Sequence, residues 1–94
     1  MDVSSTDSEL SKKSLTLFPN PTSDVISMNV DLDYNGLANI MIADATGRVL
    51  TVREYENLQS GNYNFNVSGY ASGLYFARLV TDEGSRTVKF TIQK

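Results

Sequence analysis

The sequence contains no cysteine, no histidine and no tryptophan, and only two prolines among 94 residues. Without His and Cys it lacks the commonest general base, the thiol nucleophile and the soft metal ligands. Its serines and threonines have no imidazole to activate them, so no Ser-His-Asp arrangement is available. Carboxylates remain, at Asp24, Asp31, Asp33, Asp44, Glu54 and Glu56. They fall near turns or on solvent-facing strand positions, where solvation is the ordinary fate of an acid. The expectation is a chain that is not an enzyme, with no catalytic residue, no metal site and no cofactor. The missing cysteines also exclude a disulfide staple, so the domain either occupies a reducing compartment or is held by its core alone.

Long apolar runs are missing too. The densest stretch, Leu37 to Ala43, is broken by Asn39 and is far too short to span a bilayer, so no membrane insertion is expected. A formal net charge of -3 leaves no basic footprint for nucleic acid. The opening Met1-Asp2-Val3-Ser4-Ser5-Thr6-Asp7 is polar and acidic, unlike a secretory leader. It fits either a cytosolic start or a fragment taken from the far end of a longer chain. The six glycines are scattered singly, which gives turns rather than a phosphate-binding loop.

What is present is alternation. Residues 1–13 are polar and charged, and read as a flexible linker. From Ser14 onward the period is two. Leu15 and Leu17 share one side of a short strand; Ile26, Met28, Val30 and Leu32 share one side of the next. Further strands are expected at Leu37 to Ala43, at Val49 to Tyr55 with a mixed pattern, around Tyr63, Phe65 and Val67, at Leu74 to Thr81, and around Val88, Phe90 and Ile92. About seven short strands separated by Gly, Asn or Pro predict an all-β fold. Several strands with one wet face point to an immunoglobulin-like antiparallel β-sandwich spanning 14–94.

Two local patterns have bland readings. Asp31-Leu32-Asp33-Tyr34-Asn35-Gly36 matches the first half of a calcium loop, but its twelfth position is Ile42 where a bidentate acid is required. A hairpin turn carrying exposed acids is expected there instead. Tyr63, Phe65, Tyr75 and Phe76 alternate on strands and have the faces to stack sugars or bases, yet core filling is the ordinary role of such rings and is expected here.

Four motifs occur in order along the chain. The first is Leu17-Phe18-Pro19-Asn20-Pro21-Thr22-Ser23-Asp24, and the second Asp44-Ala45-Thr46-Gly47-Arg48-Val49. The third is Ala71-Ser72-Gly73-Leu74-Tyr75-Phe76-Ala77-Arg78-Leu79, and the last Val88-Lys89-Phe90-Thr91-Ile92-Gln93-Lys94. Together they resemble the C-terminal sorting domain of proteins exported by the bacterial type IX secretion system. Phe90 stands where an aliphatic residue is usual, and Lys89 is single where paired basics are common. The resemblance makes Pro19, Asn20, Pro21, Asp24, Asp44, Gly47 and Arg48 motif residues that build the fold. Gly73, Tyr75, Lys89, Phe90, Ile92 and Lys94 become candidates for recognition.

The physical roles expected are these. Pro-Asn-Pro caps the first strand and blocks edge pairing there. Asp44 bonds the turn backbone while Gly47 supplies positive φ. Tyr75 brings a ring with a hydroxyl that needs a partner. The resemblance further implies a cargo domain upstream and folding in the periplasm. It implies recognition by the type IX translocon and accessory outer-membrane proteins, and removal by a sortase acting in the linker, with the cargo at the cell surface or secreted. The alternative is an immunoglobulin-like accessory binding module of a secreted enzyme, which a patch of exposed aromatics would favour.

Overall fold

Period-two alternation becomes seven strands in the computed structural model, which describes residues 14–94. The strands are β1 (Leu15–Phe18), β2 (Val25–Val30), β3 (Tyr34–Asp44), β4 (Val49–Leu58), β5 (Gly61–Asn66), β6 (Gly73–Thr81) and β7 (Gly84–Ile92). They form two antiparallel sheets, ordered β1-β2-β5 and β4-β3-β6-β7. The chain therefore builds the all-β, immunoglobulin-like sandwich expected from its pattern. The linker expected over residues 1–13 lies outside the described residues.

The inward-facing residues meet between the sheets. Leu15, Ile26, Met28, Val30, Phe65 and Val67 come from the three-stranded side. Ala38, Ile40, Ile42, Leu58, Tyr75, Ala77, Leu79, Phe90 and Ile92 come from the four-stranded side. Each large aliphatic or Phe side chain buried this way contributes about 1.5–3 kcal/mol. The core is thus supplied by apolar burial, with no covalent staple available.

The two lateral sides of the sandwich are closed differently. At one, β1 lies beside β7. At the other, Tyr55 of β4 meets Tyr63 of β5 edge-on at 5.2 Å, and the Arg53 guanidinium lies 3.9 Å from the centre of the Phe65 ring. These contacts cover apolar surface where no strand bridges the sheets.

One turn is placed differently and one strand pattern is explained. Asp33-Tyr34-Asn35-Gly36 is not a hairpin turn: β2 and β3 belong to different sheets, and Tyr34 already pairs with Leu58. Residues 31–33 carry the chain across, and the Asp33 carboxylate accepts a 2.8 Å bond from the Ser60 amide. β4 runs past Tyr55 to the buried Leu58, and Gly61 and Asn62 open β5. The mixed pattern of β4 comes from a bulge. Ile42 pairs with Thr51 and Ala43 with Val49, so Leu50 is the extra residue and the alternation inverts across it.

Candidate functional site

The four motifs lie far apart in sequence, and the sheets bring them to one end of the molecule. Asp44 at the end of β3 pairs with Tyr75 near the start of β6. Tyr75 pairs with Phe90, and Gly73 with Ile92, in β7. The Pro19–Pro21 segment, between β1 and β2, reaches the outer edge of β7 at the same end.

That last contact reverses one expectation. The Pro-Asn-Pro segment does not simply block pairing; it supplies a partner for an edge. The Asn20 side chain accepts from the Thr91 amide at 3.1 Å and donates to the Lys89 carbonyl at 3.4 Å. One residue beyond Pro21, Thr22 forms a parallel bridge with Ile92. Its amide donates to the Thr91 carbonyl at 3.0 Å, and its carbonyl accepts from the Gln93 amide at 2.8 Å. Both prolines follow cis peptide bonds. The edge of the last strand is thereby occupied by its own chain, which removes a template for pairing with another.

Thr22 was missed by sequence reasoning. It is buried, and its hydroxyl donates to the Val25 carbonyl at 2.5 Å. A Thr directly after a Pro turn was the available signal, because Ser and Thr side chains bond nearby backbone. Asp24 contributes through its backbone: its carbonyl accepts from the Val67 amide at 2.7 Å.

The second motif is the hairpin loop between β3 and β4, residues 45–48. The Asp44 carboxylate accepts from the Thr46 hydroxyl at 2.6 Å, the Thr46 amide at 2.9 Å and the Arg48 amide at 3.0 Å. Arg48 Nε stands 3.4 Å from its other oxygen. The Thr46 hydroxyl leads these effects in holding the Asp44 carboxyl below its ordinary value, helped by the two amides and the Arg48 charge and opposed by partial desolvation. Gly47 has φ of 93°, the left-handed conformation this loop requires.

Tyr75 is buried. Its ring stacks between Tyr70 and Phe90, with centroids 5.8 Å from each, and its hydroxyl donates to the Ala71 carbonyl at 2.6 Å. Tyr70 in turn shares a hydrogen bond with the Thr51 hydroxyl of β4. The C-terminal residue completes the cluster: the Lys94 amide donates to the Ser72 hydroxyl at 3.2 Å, and its ammonium to the Ser68 carbonyl.

The recognition candidates therefore divide in two. Tyr75, Phe90 and Ile92 are core, and their side chains are not offered to a partner meeting the folded domain. Gly73, Lys89 and Lys94 are exposed. Phe65 and Tyr75 are buried and Tyr63 half-buried, but Phe76 is not core as expected. Being adjacent to inward Tyr75, it faces outward beside Lys89 and is half-buried there, a single ring rather than the exposed aromatic patch that an accessory binding module would use. Among the described residues no three His, Cys, Asp or Glu side chains stand close enough to hold a metal ion.

Comparison with known proteins adds one finding. A family model described as a secretion system C-terminal sorting domain matches residues 16–93. No curated protein matches the chain.

Proposed function

The chain belongs to the family of secretion system C-terminal sorting domains, and from that membership we propose that its motif end is the part the export machinery reads. The domain is a C-terminal secretion signal for the type IX system, a family whose role is sorting rather than catalysis. Such a signal engages the secretion machinery and takes a cargo domain across the outer membrane, to the cell surface or beyond.

The observation that carries the reading is convergence. Four motifs spread over residues 17–94 meet at one end: Asn20 and Thr22 bond the last strand, and the Asp44–Tyr75 and Tyr75–Phe90 strand pairings join the other three. The buried members hold the exposed ones in place. Tyr75, Phe90 and Ile92 anchor β6 and β7, on or beside which Gly73, Lys89 and Lys94 are exposed. The finer steps are part of the proposal: the domain folds in the periplasm, translocon and accessory outer-membrane proteins bind it there, and a sortase cuts within residues 1–13.

The test is a fusion of residues 1–94 to a reporter carrying an inner-membrane export signal, expressed in a type IX-competent strain. The reporter should reach the surface or the medium, with mass spectrometry placing the new terminus within residues 1–13. Intact fusion held in the periplasm of that strain would reject the reading. Deleting Lys89–Lys94 is a poor probe, because it removes Phe90 and Ile92 from the core. Lys94→Ala and Lys89→Ala leave the core intact and are the variants to compare.

A further inference from the structure

The two sheets turn unlike faces to solvent. On the three-stranded sheet, cross-strand registers align Thr16, Asn29 and Asn62 in one row and Phe18, Ser27 and Asn64 in the next. Its polar groups satisfy each other: Ser27 donates to Asn64 at 2.8 Å, and Asn29 to Asn62 at 2.8 Å. Its exposed large apolar side chains, Phe18 and Val25, sit at one corner.

The four-stranded sheet is the opposite. Register places Val49, Ala43, Phe76 and Lys89 in one outward row, and Val52, Met41, Arg78 and Thr87 in the adjacent row. Leu74 extends the apolar surface toward the motif end. Val49 and Val52 are 49% and 54% exposed, and Leu74 39%. Phe76, Met41 and Val80 are each half-buried by their neighbours. Cations stand within this surface, although the whole chain carries net charge -3. Among the described residues neither Arg78 nor Lys89 forms an ion pair. Two acids, Glu54 and Glu56, lie on edge strand β4 beyond Val52, with Glu54 opposite Asn39.

We infer that this outer face of the four-stranded sheet is a docking surface for a protein whose complementary patch is apolar at its centre and carries carboxylates opposite Arg78 and Lys89. The inference rests on the sorting reading, and assigns the partner to the secretion machinery. Desolvated apolar contact supplies affinity in such an interface, and charge complementarity supplies orientation and selection against wrong partners. Two cations are too few to hold an anionic membrane, since each contributes only about 1 kcal/mol there. The face is continuous with the motif end through Lys89, whose carbonyl is clasped by Asn20 while its side chain joins the outer row.

The experiment uses the reporter fusion of residues 1–94 with paired substitutions. Val49→Ser/Val52→Ser removes apolar surface at exposed positions, and Arg78→Gln/Lys89→Gln removes charge at nearly constant size. Thr16→Glu/Asn62→Ser, in an outward row of the other sheet that belongs to none of the four motifs, is the control. Thermal unfolding of the purified variants establishes that each is folded. Each four-stranded-face pair should lower surface delivery about tenfold or more, the effect of losing interface hot spots, while the control exports like wild type. Folded variants exported at the wild-type level would overturn the inference and leave the sorting reading standing. Failure of the wild-type fusion to be exported would overturn both. Two further results would reassign the face. The first is a concentration-dependent dimer of the wild-type domain that Val49→Ser/Val52→Ser abolishes. The second is pelleting of wild type, but not Arg78→Gln/Lys89→Gln, with anionic phospholipid vesicles.

Discussion

The two ends of the sandwich use the same device with different weight. At the motif end Tyr75, third residue of β6, donates its hydroxyl to the carbonyl four residues upstream, at Ala71. At the opposite end Tyr63, third residue of β5, does the same to Gln59 at 2.5 Å. Both tie the loop that leads into their own strand. Tyr75, however, is buried between two rings, whereas Tyr63 is half-buried at the rim of the core with one ring, Tyr55, beside it. Hydrogen-bond geometry is shared; surroundings are not. A bond in drier surroundings is harder for water to replace, so the motif end should be the stiffer of the two.

The strongest test of that difference removes the ring behind each tyrosine. Phe90→Ala takes a fully buried ring from the core and should cost about 3–5 kcal/mol in urea unfolding. Tyr55→Ala, at the half-exposed pair, should cost roughly 1 kcal/mol. Equal losses would erase the distinction between the ends.

Next in size is the turn that closes the motif end. Gly47→Ala forces a Cβ into the left-handed region and should destabilise the domain by about 1–2 kcal/mol. Nothing lies within 4 Å of the added Cβ, so the cost is conformational rather than steric. Asn at the same position, which tolerates that conformation better, should recover part of the loss.

Removing the hydroxyls alone sharpens the comparison further. Tyr75→Phe should lose about 1 kcal/mol and speed amide exchange around residues 71–73. Tyr63→Phe should stay within about 0.5 kcal/mol of wild type, because its bond is exposed.

The smallest effect is on pH dependence. Asp44 titrates below its ordinary value of 3.8 in the folded domain, so the unfolded chain binds its proton first as pH falls. Its contribution is therefore complete above that ordinary value and is lost as pH drops through the lower, folded one. Stability measured from neutral pH into acid should fall more steeply below about pH 4 for wild type than for Asp44→Asn. Parallel curves would show that the carboxylate does not stabilise the turn through its charge.

Much of this architecture was legible beforehand because strands announce themselves locally. Ile26, Met28 and Val30 alternate with polar neighbours, and so do Phe90 and Ile92; each set is buried as the alternation requires. Asp44 and Gly47 were legible for the same reason, since an Asx-bonded turn is completed within five residues. What escaped was long-range or broken in period. The Leu50 bulge inverts the pattern of β4, and no local rule places an inserted residue. The role of Asn20 could not be found, because its partners Lys89 and Thr91 lie about seventy residues further along.

Residue order by itself determined where most strands fall, the Asp44 turn, the cleanly alternating core positions and the family, all of which depend on neighbours a few positions apart. Tertiary structure alone decided which edge the Pro-Asn-Pro segment covers, which candidates are core and which are exposed, and which outer face is left apolar and cationic. Those outcomes depend on strand order and register between segments distant in sequence. Alternation tells a residue which side of its own strand it occupies, but not what stands beside it.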